Sequence, residues 1–288
     1  MDNKTRERIL EFQRNEITEH HTYKRLAEFT DDPENKKVLL DIAGDELEHY
    51  SFWKSYTQEE VAPNHSRVWR YATVARILGL TFATKLMESR EKDAQTEYSE
   101  VADVIPEVRK LIADEDEHEM QVLRLINDKY LKYVSSIILG LNDALVELTG
   151  ALAGFTFALQ HANLIAVAGF ITGVAASFSM GASEYLSTKA EESEKSAFHA
   201  SIYTGVAYFI VVLLLIAPYM LLSNVYISLA ITLFVALVII VGFSFYISVV
   251  QELSFKKQFL EMALLSLGVA AITFTIGYLV RNILGIEV

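Results

Sequence analysis

The chain has 288 residues, a formal net charge of −12 and no cysteine. The length allows roughly two domains, and the acidity argues against nucleic acid as a partner. The lack of cysteine excludes disulfides, thiolate metal sites and a rubredoxin-type iron centre. Charge is unevenly spread: residues 1–133 hold 20 Lys+Arg and 28 Asp+Glu, and the remaining 155 residues hold 5 and 9. The first part reads as soluble and the second as membrane-embedded, with an all-α fold throughout. The N-terminus, MDNKTRERILEF, has no apolar h-region, so no cleaved signal peptide is expected.

Pro33, Pro63 and Pro106 punctuate the soluble part, each where one helical pattern stops and another starts. The spacing predicts four helices over about 3–30, 34–58, 66–104 and 107–132. An internal repeat runs through them. The first helix has Glu16, then Tyr23, then Leu26-Ala27; the third has Glu91, then Tyr98, then Val101-Ala102. The second carries Glu46-Leu47-Glu48-His49 and the fourth Glu115-Asp116-Glu117-His118. Both contain Glu-x-x-His, which places carboxylate and imidazole on one helix face. One such element is common in a Glu-rich helix. Four of them in order, one per helix and repeated in two halves, form the ligand set of carboxylate-bridged two-metal bundles. Glutamates tolerate both Fe²⁺ and Fe³⁺, and two histidines shift preference from Ca²⁺ or Mg²⁺ toward iron or manganese.

Over about residues 5–130 these motifs resemble rubrerythrin and other ferritin-like di-iron proteins. The resemblance implies a four-helix bundle binding a di-iron pair, or Mn²⁺, through Glu16, Glu46, His49, Glu91, Glu115 and His118. Glu19 is an alternative to Glu16, Glu88 to Glu91, and Glu97 is an additional candidate ligand. His20, His21 and His65 read as surface residues, and Tyr23 and Tyr98 as core tyrosines bonded to ligands. Residues 61–87 stand apart. They contain Arg67, Arg70, Arg76 and Lys85 but no acid, with Trp69, Tyr71 and Phe82 among them. This is either an interfacial segment attracted to anionic lipid or an extension packed on a partner protomer. Gly79 is a candidate break in the long third helix.

Five membrane spans are expected, over about 134–159, 163–187, 200–222, 225–250 and 258–281. Between Pro106 and Gly140 there is no glycine or proline, so the fourth helix is expected to run into the first span. Lys129, Lys132, Lys189, Lys195, Lys256 and Lys257 flank alternate ends of the spans. By the positive-inside rule the N-terminal domain is cytoplasmic and the C-terminus outside, with Arg281 against the trend. Spans 1 and 2 carry Asp143, Glu147, Met180 and Glu184. A carboxylate at the bilayer centre costs about 2.5–3.5 kcal/mol on insertion scales, so such groups usually face a cavity or a partner. Carboxylates beside a thioether suit a borderline-soft dication such as Fe²⁺.

The stretches "GLNDALVE" and "SMGASEYLS" resemble the first two spans of the vacuolar iron transporter family, over about residues 131–288. That resemblance implies proton-coupled export of Fe²⁺ or Mn²⁺ from the cytosol by a five-span homodimer with its path at the dimer interface. It implies metal-path roles for Asp143, Met180 and Glu184; Glu147 joins them from its helical position alone. Plant members carry a long acidic helical insert between spans 2 and 3, whereas "STKAEESEKSAFH" is short here. Metal capture is then expected from elsewhere in the chain. The combination, 1–130 as a di-metal bundle and 131–288 as a transporter, resembles the membrane-bound ferritin-like iron exporters of prokaryotes. The expected setting is a multi-pass cell-membrane protein, with protons as counter-ions, since there is no Walker glycine loop. The alternative is a membrane-anchored ferroxidase or peroxide reductase of the rubrerythrin type.

Overall fold

The computed structural model describes residues 3–87, 98, 101–102, 105–124, 131–191, 196–251 and 253–284. Within these the chain is helical, without strands, and divides into two compact units, Met1–Asp128 and Lys129–Val288. The junction expected to join the fourth helix to the first span falls on 125–130, outside the described residues.

In the first unit, α1 (Asn3–Glu28) and α2 (Pro33–Thr57) pack side by side. The α1 face that turns inward carries Ile9, Phe12, Glu16, Tyr23 and Leu26, at three- to seven-residue steps. Between the helices, Asp32 caps α2 by accepting from the Glu34 and Asn35 amides at 3.0 and 2.9 Å, and Pro33 holds the first helical position. Caps of this kind stabilise by about 1 kcal/mol. The α3 helix (His65–Leu78) starts at Asn64, whose side chain accepts from the Arg67 amide. It stops at Gly79, which adopts φ 93°, a conformation that strains any residue with a Cβ. The single long helix expected over 66–104 is therefore broken after Leu78, and helix resumes over 80–87. The α4 helix spans Val108–Arg124.

Two apolar clusters fill this unit. One gathers Tyr23, Leu26, Leu39, Ile42, Tyr71 and Met87; the other gathers Phe12, Trp53, Tyr98, Val101 and Val108. On α1, Glu16 lies between Phe12 of one cluster and Tyr23 of the other. Its carboxylate is thus bracketed by apolar packing on both sides.

The second unit contains α5 (Leu131–Leu159), α6 (Ala162–Ala190), α7 (Ala197–Leu221), α8 (Val225–Val250) and α9 (Phe255–Leu284). All five are long and apolar enough to cross a bilayer, at 25–30 residues each, so this unit is a membrane-embedded domain. The central helix is α5, which packs against all four others. Small residues permit the closest approaches: a Cβ on Gly140 would lie 2.4 Å from the Thr204 carbonyl oxygen, and one on Gly277 2.4 Å from that of Gly154. Hydroxyls tie the same seams, Ser266 donating to Leu145 O at 2.7 Å and Thr273 to Gly150 O at 2.6 Å.

Candidate functional site

Three helices of the first unit place five chemically matched side chains together: Glu16 from α1, Glu46 and His49 from α2, Glu115 and His118 from α4. Ligand atoms of Glu16, Glu46, His49 and Glu115 all lie within 4.8 Å of one another, in a fully buried group that can hold a metal ion. His49 Nδ1 is 3.2 Å from Glu115 Oε1, 3.5 Å from Glu46 Oε2 and 3.8 Å from Glu16 Oε2. His118 Nδ1 is 3.2 Å from Glu46 Oε1 and 3.6 Å from Glu115 Oε2. Both imidazoles thus aim Nδ1 at the carboxylates. Glu46 Oε1 and Oε2, Glu16 Oε2, Glu115 Oε2 and both Nδ1 atoms are buried without a hydrogen-bond partner. Buried polar atoms are rarely left so, and a shared cation would satisfy them together.

A surrounding layer orients this group. Trp53 Nε1 and Tyr98 Oη both donate to Glu16 Oε1, at 3.1 and 2.5 Å, which leaves Oε2 facing the cluster. The outer nitrogen of His118 is 3.1 Å from Asp45 Oδ2, and that of His49 is 3.5 Å from Asp114 Oδ2. The pattern is reciprocal. Asp45 precedes Glu46 on α2 and braces the histidine of α4; Asp114 precedes Glu115 on α4 and braces the histidine of α2. A carboxylate on the outer nitrogen fixes the tautomer and makes Nδ1 the better ligand. The sequence reading missed both aspartates, although their signal is present as Asp-Glu-x-Glu-His at 45–49 and again at 114–118. Asp45→Asn should weaken metal binding about 10–100-fold with the helix content unchanged, as read by competitive metal titration and circular dichroism. An unchanged affinity would remove Asp45 from the site. The group opens into a cleft of about 230 Å³ lined by Asp45, Glu48, Asp114 and Glu117 with Lys110 beside them, a predominantly acidic approach for a cation.

Burial pushes the Glu16 carboxyl up, and the charges of Glu46 and Glu115 add to the push against the pull of His49. Burial acts on Glu46 in the same direction, but the nearby imidazoles of His118 and His49 outweigh it and hold this carboxyl low. Burial alone would lower both imidazoles. Contacts with Glu115, Glu16 and Glu46 instead raise His49 well above the imidazole range, and Glu115 and Glu46 raise His118 to about 11. The Tyr98 hydroxyl is held well above its ordinary range by burial and by Glu16.

Glu88, Glu91 and Glu97 lie outside the described residues. Glu19 is half-buried. His20, His21 and His65 form a partly exposed ring cluster in which His20 donates from Nδ1 to Ala43 O at 2.5 Å.

In the membrane unit the acids form a succession rather than a cage. Among the described residues, the only Glu/His/Asp group of three or more able to share one ion is that of the first unit. Glu184 on α6 accepts from Ser136 Oγ at 2.5 Å and Thr188 Oγ1 at 3.4 Å, which sets it level with Ser136 of α5. Asp143, half-buried, follows two turns along α5 and interacts with Glu147 one turn further. Glu147 is exposed on the surface of the chain and accepts from the buried Tyr208 Oη at 2.9 Å. Met180 is half-buried against the apolar core. From Ser136 to Glu147 the ladder covers about 16 Å of helix, half the hydrocarbon thickness. Sequence reading alone did not give Ser136 or Tyr208, because only the packing of α5 against α6 and α7 reveals them.

No curated protein matches the chain. A family model described as the VIT family matches residues 134–197, which contain nearly all of α5, all of α6, and every one of the four membrane candidates Asp143, Glu147, Met180 and Glu184. With the five apolar helices, this match supports a membrane domain of the VIT type, and the family suggests membrane transport of metal ions.

Proposed function

We propose that the protein exports divalent iron, and also Mn²⁺, from the cytosol in exchange for protons, as a homodimer in the cell membrane. In this reading the first unit is a ferritin-like four-helix bundle on the cytoplasmic side, and the second is the transporter. The observation that carries it is the convergence of unpartnered carboxylate oxygens and two Nδ1 atoms in one buried cluster, on a chain that also carries a VIT match.

Glu16, Glu46, His49, Glu115 and His118 would hold the metal pair, with Glu91 and Glu97 as candidates from the third helix. When bound, the pair supplies Fe²⁺/Fe³⁺ redox capacity. The chain's own groups do the rest. The acid rim draws dications toward the cleft. Asp45 and Asp114 keep the two outer nitrogens occupied, so Nδ1 stays directed inward. His49 and His118 give up protons as ligands must, and Trp53 and Tyr98 keep Glu16 from swinging away.

In the membrane, Glu184, Asp143 and Glu147 each bind either a proton or a cation, which is what exchange requires. Moving a dication outward against an inside-negative potential costs roughly 4.6 kcal/mol per 100 mV, twice the single-charge value. Inward protons offset that cost. The exposure of Glu147 supports the homodimer, since a carboxylate facing lipid is costly and a second copy would cover it.

Titrating the metal-free chain with Fe²⁺ or Mn²⁺ tests the cluster. Both imidazoles sit above their ordinary range, so both are protonated near neutral pH and must deprotonate to bind. Two ions per chain are expected, with release of about two or more protons and an affinity that rises as pH rises from about 6 to 9. A pH-independent affinity without proton release, or no binding in this unit, would overturn the assignment.

A further inference from the structure

The acid-free segment has a definite geometry. The α3 helix packs Tyr71 and Ala72 into the first unit, with Ala75 partly buried beside Tyr71 in the same apolar cluster. The opposite face carries Ser66, Trp69, Arg70, Thr73, Arg76 and Ile77. At 100° per residue these fall within an arc of about 120°. Trp69 and Ile77 are each 72% exposed. These are large apolar side chains held in water beside two cations, on a unit whose charge is otherwise acidic.

The arginines are placed for an external anion. The Arg70 guanidinium lies 5.5 Å from the Tyr71 ring centroid and that of Arg76 4.6 Å from the Phe29 centroid, with Arg25 4.9 Å from the same ring. Among the described residues neither Arg70 nor Arg76 reaches a carboxylate. Arg67, by contrast, is committed to Asn15 Oδ1 at 2.8 Å. Aromatic contact orients a guanidinium without neutralising it, so the two donors remain charged at the surface.

We infer that the outer face of α3 docks on an anionic bilayer surface, with Trp69 and Ile77 entering the headgroup–acyl boundary and Arg70 and Arg76 meeting lipid phosphates. Charge complementarity selects the occupant. Apolar anchors flanked by arginines match an anionic lipid surface, whereas the same face of a second copy, with no acid across 61–87, would set arginine against arginine. Supply of the ligand is assured as well. The chain that carries α3 also spans the bilayer, so the lipid is present at high effective concentration. Weak contacts then suffice to hold the face down.

The test uses full-length protein reconstituted in vesicles whose acyl chains carry bromine, a short-range quencher of tryptophan. The chain has two tryptophans, and Trp53 is fully buried. Vesicles of brominated phosphatidylglycerol mixed with phosphatidylcholine should quench a component of the emission that Trp69→Phe removes. Phosphatidylcholine alone should quench it less, and added salt should weaken the effect. Neutralising both arginines, as Arg70→Gln with Arg76→Gln, should lower the docking equilibrium about 25-fold, roughly fivefold per charge. Both sites are exposed, so the fold is unaffected. Equal quenching of the wild type and Trp69→Phe would overturn the proposal. So would equal quenching in neutral and anionic lipid, or a Trp69 shielded from aqueous acrylamide but untouched by brominated lipid, which would mean that protein covers the face.

Discussion

Replacing Glu46 by glutamine is expected to lower the metal affinity of the first unit by at least about 100-fold, more than the loss of any outer-layer group. Glu46 is fully buried, its two oxygens have no hydrogen-bond partner, and each lies within 3.5 Å of a different imidazole. Glu115 spans the same two imidazoles, at 3.2 and 3.6 Å, but both Glu46 oxygens are buried without a hydrogen-bond partner. Glutamine keeps the shape but offers a neutral oxygen and an N–H that points the wrong charge at a cation. The metal-free protein should still fold, because both imidazoles can neutralise themselves by losing their protons. Thermal unfolding separates the two effects. A ligand present at 100 times its Kd stabilises by about 2.7 kcal/mol, so wild type should gain Tm with Fe²⁺ and Glu46→Gln should not. Glu28→Gln, which alters only an exposed pair with Arg25, should behave as wild type. A Glu46→Gln chain that keeps its metal-dependent gain in Tm would show that the cluster is not the binding site.

Asp143→Asn is expected to reduce metal flux on the order of 100-fold, equivalent to about 2.7 kcal/mol of added barrier, while metal binding by the first unit stays intact. Asp143 stands mid-ladder on the helix that contacts every other span, with Glu184 two turns to one side and Glu147 one turn to the other. An amide there cannot exchange a proton for a cation, so the succession is cut. Tyr208→Phe should be far milder, a few-fold, since it removes one hydrogen bond worth about 1 kcal/mol from Glu147 and leaves the carboxylate. Normal flux through Asp143→Asn would remove the ladder from the transport path.

Much of this was legible from spacing. A residue three positions on shares a helix face, so Glu46 with His49 and Glu115 with His118 stand out within single helices. Their meeting with Glu16 follows from the internal repeat. The spans were legible because lipid demands long apolar runs, and α8 begins and ends at the expected residues. What escaped depends on the register between helices. Asp45 lies about 100° around α2 from Glu46 and serves a histidine on another helix, a pairing that no periodicity within one helix encodes. For the same reason Glu184 and Asp143 read in sequence only as members of one metal path, and it is the Ser136 contact that sets Glu184 two turns from Asp143 along α5. The long third helix breaks at Gly79, the candidate break that the sequence offered, where a positive φ overrides the surrounding helical pattern.

Metal movement coupled to protons, by a chain with a candidate metal cluster in its first unit, is the core of the proposal. Its most direct test is Fe²⁺ flux in proteoliposomes with an imposed pH gradient and a reporter of internal pH. Wild-type protein should move Fe²⁺ and protons in opposite directions, with a rate that follows the gradient. Fe²⁺ flux that ignores the gradient, or none beyond that of empty liposomes, would contradict the proposal.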